Sequence, residues 1–399
     1  MDSNARITGP ITLDSGLTTA HDAGYTYLTG TIINNGLMTV GRSNAVSNAI
    51  TYINGAVTLN GSGKVLLQND GNHQFVPANN AVTDVLTIGT QQEFTTDANT
   101  TSNYQTSALN VAVINYGTIS ANGGGLTIYN QPKTNYGTFR VLNGGRMDFT
   151  GVTVTNYNAT TDTLTGGRWE VVSSGTTTTL DLQNSPIVTI AADTYVCLSG
   201  ADATFPQLSG VTNIAGTFCI EKGKIFTTAG NLNVSGRLEF GLGDGNVQGY
   251  NSQRLVINGN VDFTGSHIDV ASFGTTPGLY EVVRWTGTAT GAPILGNIPL
   301  GLKYGLVFDA AGKTLKVNVE GVPGGELKIL GIHRDPVTGT TTIDYLSQPN
   351  VSHTVRGTRD FLTYDNLPAT AVGTGALMQY LHSSAAAPDR YFYSFSTVP

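Results

Sequence analysis

Apolar and polar residues alternate in short runs along most of this chain, and glycine separates the runs. The pattern is clearest in five phrases: Asn115-Tyr116-Gly117-Thr118-Ile119, Asn135-Tyr136-Gly137-Thr138-Phe139, Gly167-Arg168-Trp169-Glu170-Val171, Ala215-Gly216-Thr217-Phe218-Cys219 and Ser235-Gly236-Arg237-Leu238-Glu239. Each is a glycine turn feeding a strand of period two. Gly117 to Gly137 is 137 − 117 = 20 residues, and Gly216 to Gly236 is 236 − 216 = 20. Gly137 to Gly167 is 167 − 137 = 30, which reads as one turn carrying an insertion. Self-similarity at this period marks a solenoid. No segment carries the 3.6-residue period of an amphipathic helix. The expected fold is therefore all-β, a parallel β-helix in which Ile119, Phe139, Trp169, Phe218 and Leu238 stack inward. One coil cannot bury its apolar face alone, so stacking has to supply the core.

The pattern divides the chain. Residues 1–110 read as irregular solenoid turns, with Asn35-Gly36, Asn54-Gly55 and Asn60-Gly61 at corners where glycine tolerates positive φ. Residues 68–109 break the rhythm, and the polar run 97–103 points to a loop projecting near 68–109. Residues 111–319 form the regular solenoid and its closing segment. Glu-Gly-Val-Pro-Gly-Gly at 320–325 is a linker. Beyond it, in 326–399, charge and aromatic content rise and the strands lengthen. Asp335-Pro336-Val337-Thr338-Gly339 is a hairpin turn between strands at 327–333 and 341–346. Further strands are expected at 353–358, 376–382 and 390–398.

Composition narrows the classes of function. Only 12% of the 399 residues are charged, 50 are glycine, and the net charge is −7. Threonine and asparagine replace charge as the solvent-facing residues, as in extracellular β proteins. No basic run exists, so nucleic acid is not an expected partner. No apolar stretch is long enough to span a membrane as a helix. The N-terminal residues lack the apolar core of a signal peptide. The composition nonetheless favours an exported chain whose leader has been removed, placed outside the cell or on its surface.

Candidate chemistry is sparse. Cys197 and Cys219 are 219 − 197 = 22 residues apart, close to one turn, and strand alternation puts both on the face opposite Val196, Leu198, Phe218 and Ile220. Neighbouring rungs lie about 4.8 Å apart, within the span of a disulfide. The pair reads either as a bridge or as two partly exposed thiols. No further cysteine or clustered histidine accompanies them, so no metal and no cofactor is expected. Cleavage of polysaccharides on a β-helix needs two or three carboxylates on one face. The densest acidic group is Glu221, Glu239, Asp244, Asp262 and Asp269. Glu239 and Asp269 share an outward phase, and the group reads as solvated surface. Gly241-Leu242-Gly243-Asp244-Gly245-Asn246 is a single Gly-Asp phrase without the second copy a shared calcium site needs. No catalytic residue is assigned, and the chain is not expected to be an enzyme.

Residues 236–319 carry a more specific sequence of phrases: Leu238-Glu239-Phe240-Gly241, Arg254-Leu255-Val256-Ile257-Asn258-Gly259, Val261-Asp262-Phe263, Pro277-Gly278-Leu279-Tyr280 and Lys313-Thr314-Leu315-Lys316-Val317. This resembles the end of the passenger β-helix in autotransporter-like, adhesin-like repeat proteins of Verrucomicrobia and Planctomycetes, where a strand–Gly–strand run followed by Pro-Gly-x-Tyr/Phe closes the coil. Residues 334–339, Ser347-Gln348-Pro349-Asn350, Thr358-Arg359-Asp360-Phe361 and Arg390-Tyr391-Phe392-Tyr393 are similar to the small C-terminal β-sandwich module of secreted proteins from the same groups. Tyr345 and Tyr364 stand where that module usually has tryptophan. The resemblance implies a secreted structural or surface protein, with the module as a cap, a sorting tag or a binding unit. Coil ends expose strand edges. Arg6, Ile7, Ile11 and Leu13 form the expected assembly strand, whose partner would be a second copy joined head to tail, or a surface or glycan. Carbohydrate binding or degradation is the alternative.

Overall fold

A computed structural model describes residues 4–41, 48–68, 71–79, 83–97, 107–243, 252–273, 275–299, 302–320, 328–334, 340–346, 352–358, 365–372, 377–383 and 392–397. Among them, the single helical element is a short 3-10 turn, Pro206–Gly210; the other elements are strands. From Asn4 to Leu295 the chain passes repeatedly through three faces. The first face, here the spine, is a twelve-stranded sheet running from Thr18–His21 to Ile294–Leu295. Every spine pairing is parallel and joins one turn to the next. Partners along it are 19 to 30 residues apart, as in 37 − 18 = 19 and 267 − 237 = 30. The second and third faces begin in one thirteen-stranded sheet and continue as separate sheets toward the C-terminus. This is the parallel construction of a β-solenoid.

One long strand shows how a single strand serves two faces. In Asn48–Asn60 the first half pairs with Asn72–Pro77 and the second half with Val85–Ile88. Gly55, at φ +72°, sits between the halves and turns the corner. Later turns break the strand at this corner, as between Gly125–Tyr129 and Lys133–Asn135.

The five glycine phrases mark the corner from the third face onto the spine, and each residue has its own role. Asn115 and Asn135 point inward and are fully buried, and the Asn115 amide donates to the Asn135 side-chain oxygen at 2.9 Å. Asn156 continues the ladder by accepting from the Asn135 backbone N–H at 2.6 Å. Tyr116 and Tyr136 point outward and stack, with ring centroids 5.1 Å apart. Four of the glycines, Gly117, Gly137, Gly216 and Gly236, are required by proximity and not by φ, whereas Gly167 also has φ +68°. A Cβ on Gly137 would lie 2.1 Å from the Gly117 carbonyl oxygen, and one on Gly236 would lie 2.2 Å from that of Gly216.

On the spine, the inward residues form the expected ladder. Ile119, Phe139, Trp169, Val196, Phe218 and Leu238 are consecutive register partners and are all fully buried. Burying each such side chain contributes about 1.5–3 kcal/mol, a gain realised only when the next rung is in place. The long gap between Gly137 and Gly167 is filled by a two-stranded excursion, Tyr157–Asn158 against Thr163–Leu164, which is antiparallel within the parallel stack.

The segment 68–109 differs from expectation. Strands Asn72–Pro77, Val85–Ile88, Glu93–Thr96 and Ser107–Leu109 lie within it, each paired to the turns on either side. Its described strands therefore belong to the coil. Buried partners such as Phe75, Leu86 and Phe94 supply the core, without the glycine phrase that marks later turns. Most of the polar run 97–103 lies outside the described residues.

After the coil the polarity changes. Gly278–Trp285 pairs in parallel with Arg254–Ile257 and antiparallel with Thr314–Glu320, which pairs antiparallel with Lys303–Asp309. The C-terminal region holds two three-stranded antiparallel sheets. One comprises Lys328–Arg334, Thr340–Leu346 and Leu377–Ser383; the other comprises Ser352–Thr358, Asp365–Val372 and Phe392–Thr397. Thr341, Ile343 and Tyr345 are buried on alternate positions, so one side of the first sheet is covered. The turn 335–339 and Tyr364 lie outside the described residues.

Candidate functional site

The outward side of the spine concentrates the reactive and charged side chains. One column runs in register through Ser120, Arg140, Glu170, Cys197, Cys219, Glu239 and Asp269. Beside it, two residues earlier on each strand, stand Thr138, Arg168, Tyr195, Thr217, Arg237 and His267. On the other side, two residues later, Ser199 is the register partner of Glu221.

The acids at the two ends of this array are neutralised. Glu170, buried, accepts from Arg140 Nε at 2.6 Å and from Arg168 Nη2 at 2.7 Å. Asp269, also buried, takes both of its oxygens to Arg237 Nη1 at 2.8 Å and accepts the Asn297 backbone N–H at 2.7 Å. Asp269 was expected as solvated surface, and it is instead tied into the wall. The difference is lateral: a parallel stack places Arg140 and Arg237 one rung from the acids they hold, a neighbour that linear sequence does not display. Asp262 lies on the third face, in an open cleft of about 560 Å³ that Asn233, Asn260 and Thr290 also line. Asp244 is outside the described residues.

The centre of the array differs. Cys197 and Cys219 are register partners, as their spacing required, with sulfurs 2.6 Å apart, closer than two unbonded sulfurs rest and longer than a disulfide bond. They are buried, Cys197 at 6% exposure and Cys219 at zero, and not partly exposed as expected. Flanking side chains on a flat sheet shade these short residues. Tyr195 closes one side, with the Arg168 guanidinium 3.6 Å from its ring centroid. Burial, then the two neighbouring thiols, push the Tyr195 hydroxyl far above its usual range. Its hydrogen bond to Cys197, burial and the nearby Glu221 and Glu239 carboxylates push the Cys219 thiol up. Glu239 is raised by burial first, then by Glu221 and Asp269. Ligand atoms of Cys197, Cys219 and Glu221 all lie within 4.8 Å of one another.

The expected assembly strand is the outermost strand of the coil. Asn4–Thr8, holding Arg6 and Ile7, pairs with Tyr25–Thr29. Ile11–Leu13 pairs with Ile32–Asn34. Among the described residues neither has a partner on its other edge, and the spine strand Thr18–His21 is likewise paired only with Leu37–Val40. Leu13 is buried, whereas Ile11 and Leu17 are exposed. Behind this edge lies a cavity of about 100 Å³ bordered by Ile7, His21, Leu28, Met38 and Thr51.

Lys133 went unrecognised in the sequence. It is fully buried, inward-facing between Val113 and Val154 on adjacent turns, and its ammonium donates to the Tyr129 and Gln131 carbonyls. Burial lowers its pKa to about 7. The alternation Lys133-Thr134-Asn135, with Asn135 known to point inward, was the available signal.

The fold defines an all-β protein dominated by a parallel solenoid. No family model, curated protein or solved structure matches the chain. No helix among the described residues is long and apolar enough to cross a membrane.

Proposed function

We propose that this chain is a structural protein of an extracellular surface, adhesin-like or self-assembling, which joins copies of itself through the open edge of its first coil. The observation that carries this reading is the first turn. Its three strands, Asn4–Thr8, Ile11–Leu13 and Thr18–His21, are all parallel to the coil and each is paired on one side only among the described residues. Strand addition there continues all three faces. At the other end, Ala289–Thr290 and Ile294–Leu295 are the last strands of the third face and the spine. Contact between unlike ends is heterologous and generates an open filament. The resemblance of residues 236–319 to adhesin-like repeats agrees with an exported scaffold, and the C-terminal sheets, taken as a sandwich, serve as a cap or sorting module.

The test is electron microscopy and light scattering of the full chain over a concentration series, beside the double variant Ile7→Lys, Ile11→Lys. Fibres that lengthen with concentration and vanish in the variant are expected, because edge lysines block strand addition. Monomers at every concentration would remove the reading.

Glycan binding is the second reading. Its specific support is the Tyr116–Tyr136 stack, exposed at 45% and 62% on the outside of a corner, since aromatic faces pack against sugars. Silence on a glycan array, with no reducing ends released from polysaccharides, would dispose of it.

A further inference from the structure

We propose that Cys197, Cys219 and Glu221, with Ser199 beside them, form a binding site for a thiophilic divalent cation of the zinc class, stapling two adjacent rungs of the spine. The sequence holds two related phrases, Cys197-Leu198-Ser199 and Cys219-Ile220-Glu221, and the register lays one on the other. Cys197 pairs with Cys219 and Ser199 with Glu221, so two sulfurs and two oxygens occupy the corners of one patch. The ligand atoms of the two cysteines and Glu221 are already within 4.8 Å of one another.

Two independent observations point to a cation here. The first is charge. Each acid at the ends of the outward array has an arginine, Glu170 having two and Asp269 one. Among the described residues no ion pair reaches Glu221 or Glu239, which flank the thiols. The second is Ser199. The residue is 98% buried and its hydroxyl has no hydrogen-bond partner, on the same outward face as Cys197 and opposite Glu221. An unsatisfied buried hydroxyl costs about 1–3 kcal/mol, and a metal, or a water bound to it, would satisfy it.

The donor set selects the ion. Two thiolates and a carboxylate suit zinc, which takes sulfur at about 2.3 Å and carboxylate oxygen at about 2.0–2.2 Å in tetrahedral sites. Thiolates disfavour calcium and magnesium, which take oxygen ligands. Tetrahedral bonds of that length set the sulfurs about 3.8 Å apart, so the thiols rotate open from their present 2.6 Å. Binding balances as two thiols and one carboxylate plus the dication giving the complex and two released protons. A hydroxyl or water from the Ser199 side completes four ligands. Without the register, this set is invisible: the sequence shows two cysteines and no histidine nearby.

Cobalt(II) serves as the probe, added to the full chain after reduction and removal of reductant. The expected result is one equivalent bound, with the thiolate-to-metal charge-transfer band and the visible bands of tetrahedral cobalt, and displacement by zinc. Two protons should be released per metal near neutral pH. Cys219→Ser should abolish the charge-transfer intensity of two thiolates. Glu221→Gln, at a half-exposed position and with its fold checked by circular dichroism, should weaken binding at least about ten-fold. A folded, reduced chain that shows no charge-transfer band overturns the site. So does full affinity in Glu221→Gln together with Ser199→Ala. A mass lower by two hydrogens that resists mild reduction assigns the pair as a disulfide and also overturns it.

Discussion

The two ends of the coil are built from the same parallel rungs but finished differently. At the C-terminal end the hairpin Lys303–Asp309/Thr314–Glu320 turns antiparallel onto Gly278–Trp285. Its Phe308 stacks on Trp285 at 5.6 Å and meets Phe263 edge-on at 6.0 Å. An aromatic plug thus covers the core where the ladder stops. At the N-terminal end the inward spine positions are Thr19 and His21, where the next turn has Met38 and Val40. A small cavity lies behind them, and the edges stay open among the described residues. A closed end tolerates an apolar core because the hairpin hides it. The first described turn instead carries polar Thr19 and His21 inward, so it presents less apolar surface than the turns that follow.

The largest expected effect comes from breaking the closed end. Trp285→Ala removes the centre of the plug, and a buried tryptophan cut to alanine costs about 3–5 kcal/mol. In a solenoid each turn contacts its neighbours, so the loss should appear as early unfolding of the last turns, not of the whole coil. Urea unfolding followed by hydrogen exchange should show Gly278–Trp285 losing protection first. A uniform loss along the coil would mean that the plug is not a local cap.

The shaft between the ends provides a reference, and Lys133 is its lever. The unfolded chain holds the Lys133 proton with a pKa near 10.5, the folded chain with one of about 7. Between these values the unfolded state binds more protons, so stability rises with pH. From pH 7 to pH 9.5 the gain should be roughly 2–3 kcal/mol at about 1.36 kcal/mol per unit, seen as a rising urea midpoint. Lys133→Met should flatten that slope and leave both ends unchanged. A slope that survives the substitution would assign it to other groups.

Much of this frame was readable in the sequence. Period two in the strands and the 20-residue return of Gly117/Gly137 and Gly216/Gly236 were enough to foresee the inward ladder from Ile119 to Leu238, because burial and register both follow from stacking. The strand Val85–Ile88 was readable within 68–109, but those holding Phe75 and Phe94 were missed, since these fill the core without a glycine phrase to announce them. The outward array was missed for another reason. Its contacts, Arg140 to Glu170 and Arg237 to Asp269, join residues 30 and 32 apart, and irregular turn lengths hide which residues share a column. The glycines themselves were found by position, yet their reason at Gly137 and Gly236 is backbone proximity between rungs, which sequence cannot distinguish from a need for positive φ.

The smallest effect tests the open end. His21 points inward, with Nδ1 3.5 Å from the Thr51 hydroxyl, and burial lowers its pKa against the opposing influence of Gly24 and Asp22. A folded pKa below the unfolded 6.5 means the native state favours neutral imidazole. Its contribution is then complete above pH 6.5 and is lost as pH falls through 6.5 toward the lower folded value. Because His21 sits on the outermost spine strand, that loss should loosen the first coil alone. Amide protection in Asn4–Thr8 and Thr18–His21, corrected for intrinsic exchange, should fade between pH 7 and pH 5 while Gly278–Trp285 holds. His21→Leu should abolish the pH dependence and raise protection at the edge, since leucine extends the Val40 ladder by one rung. If both ends fade together in the parent chain, the acid response belongs to the whole coil, and the polar finish of the first turn has no separate role in keeping that end ready to open.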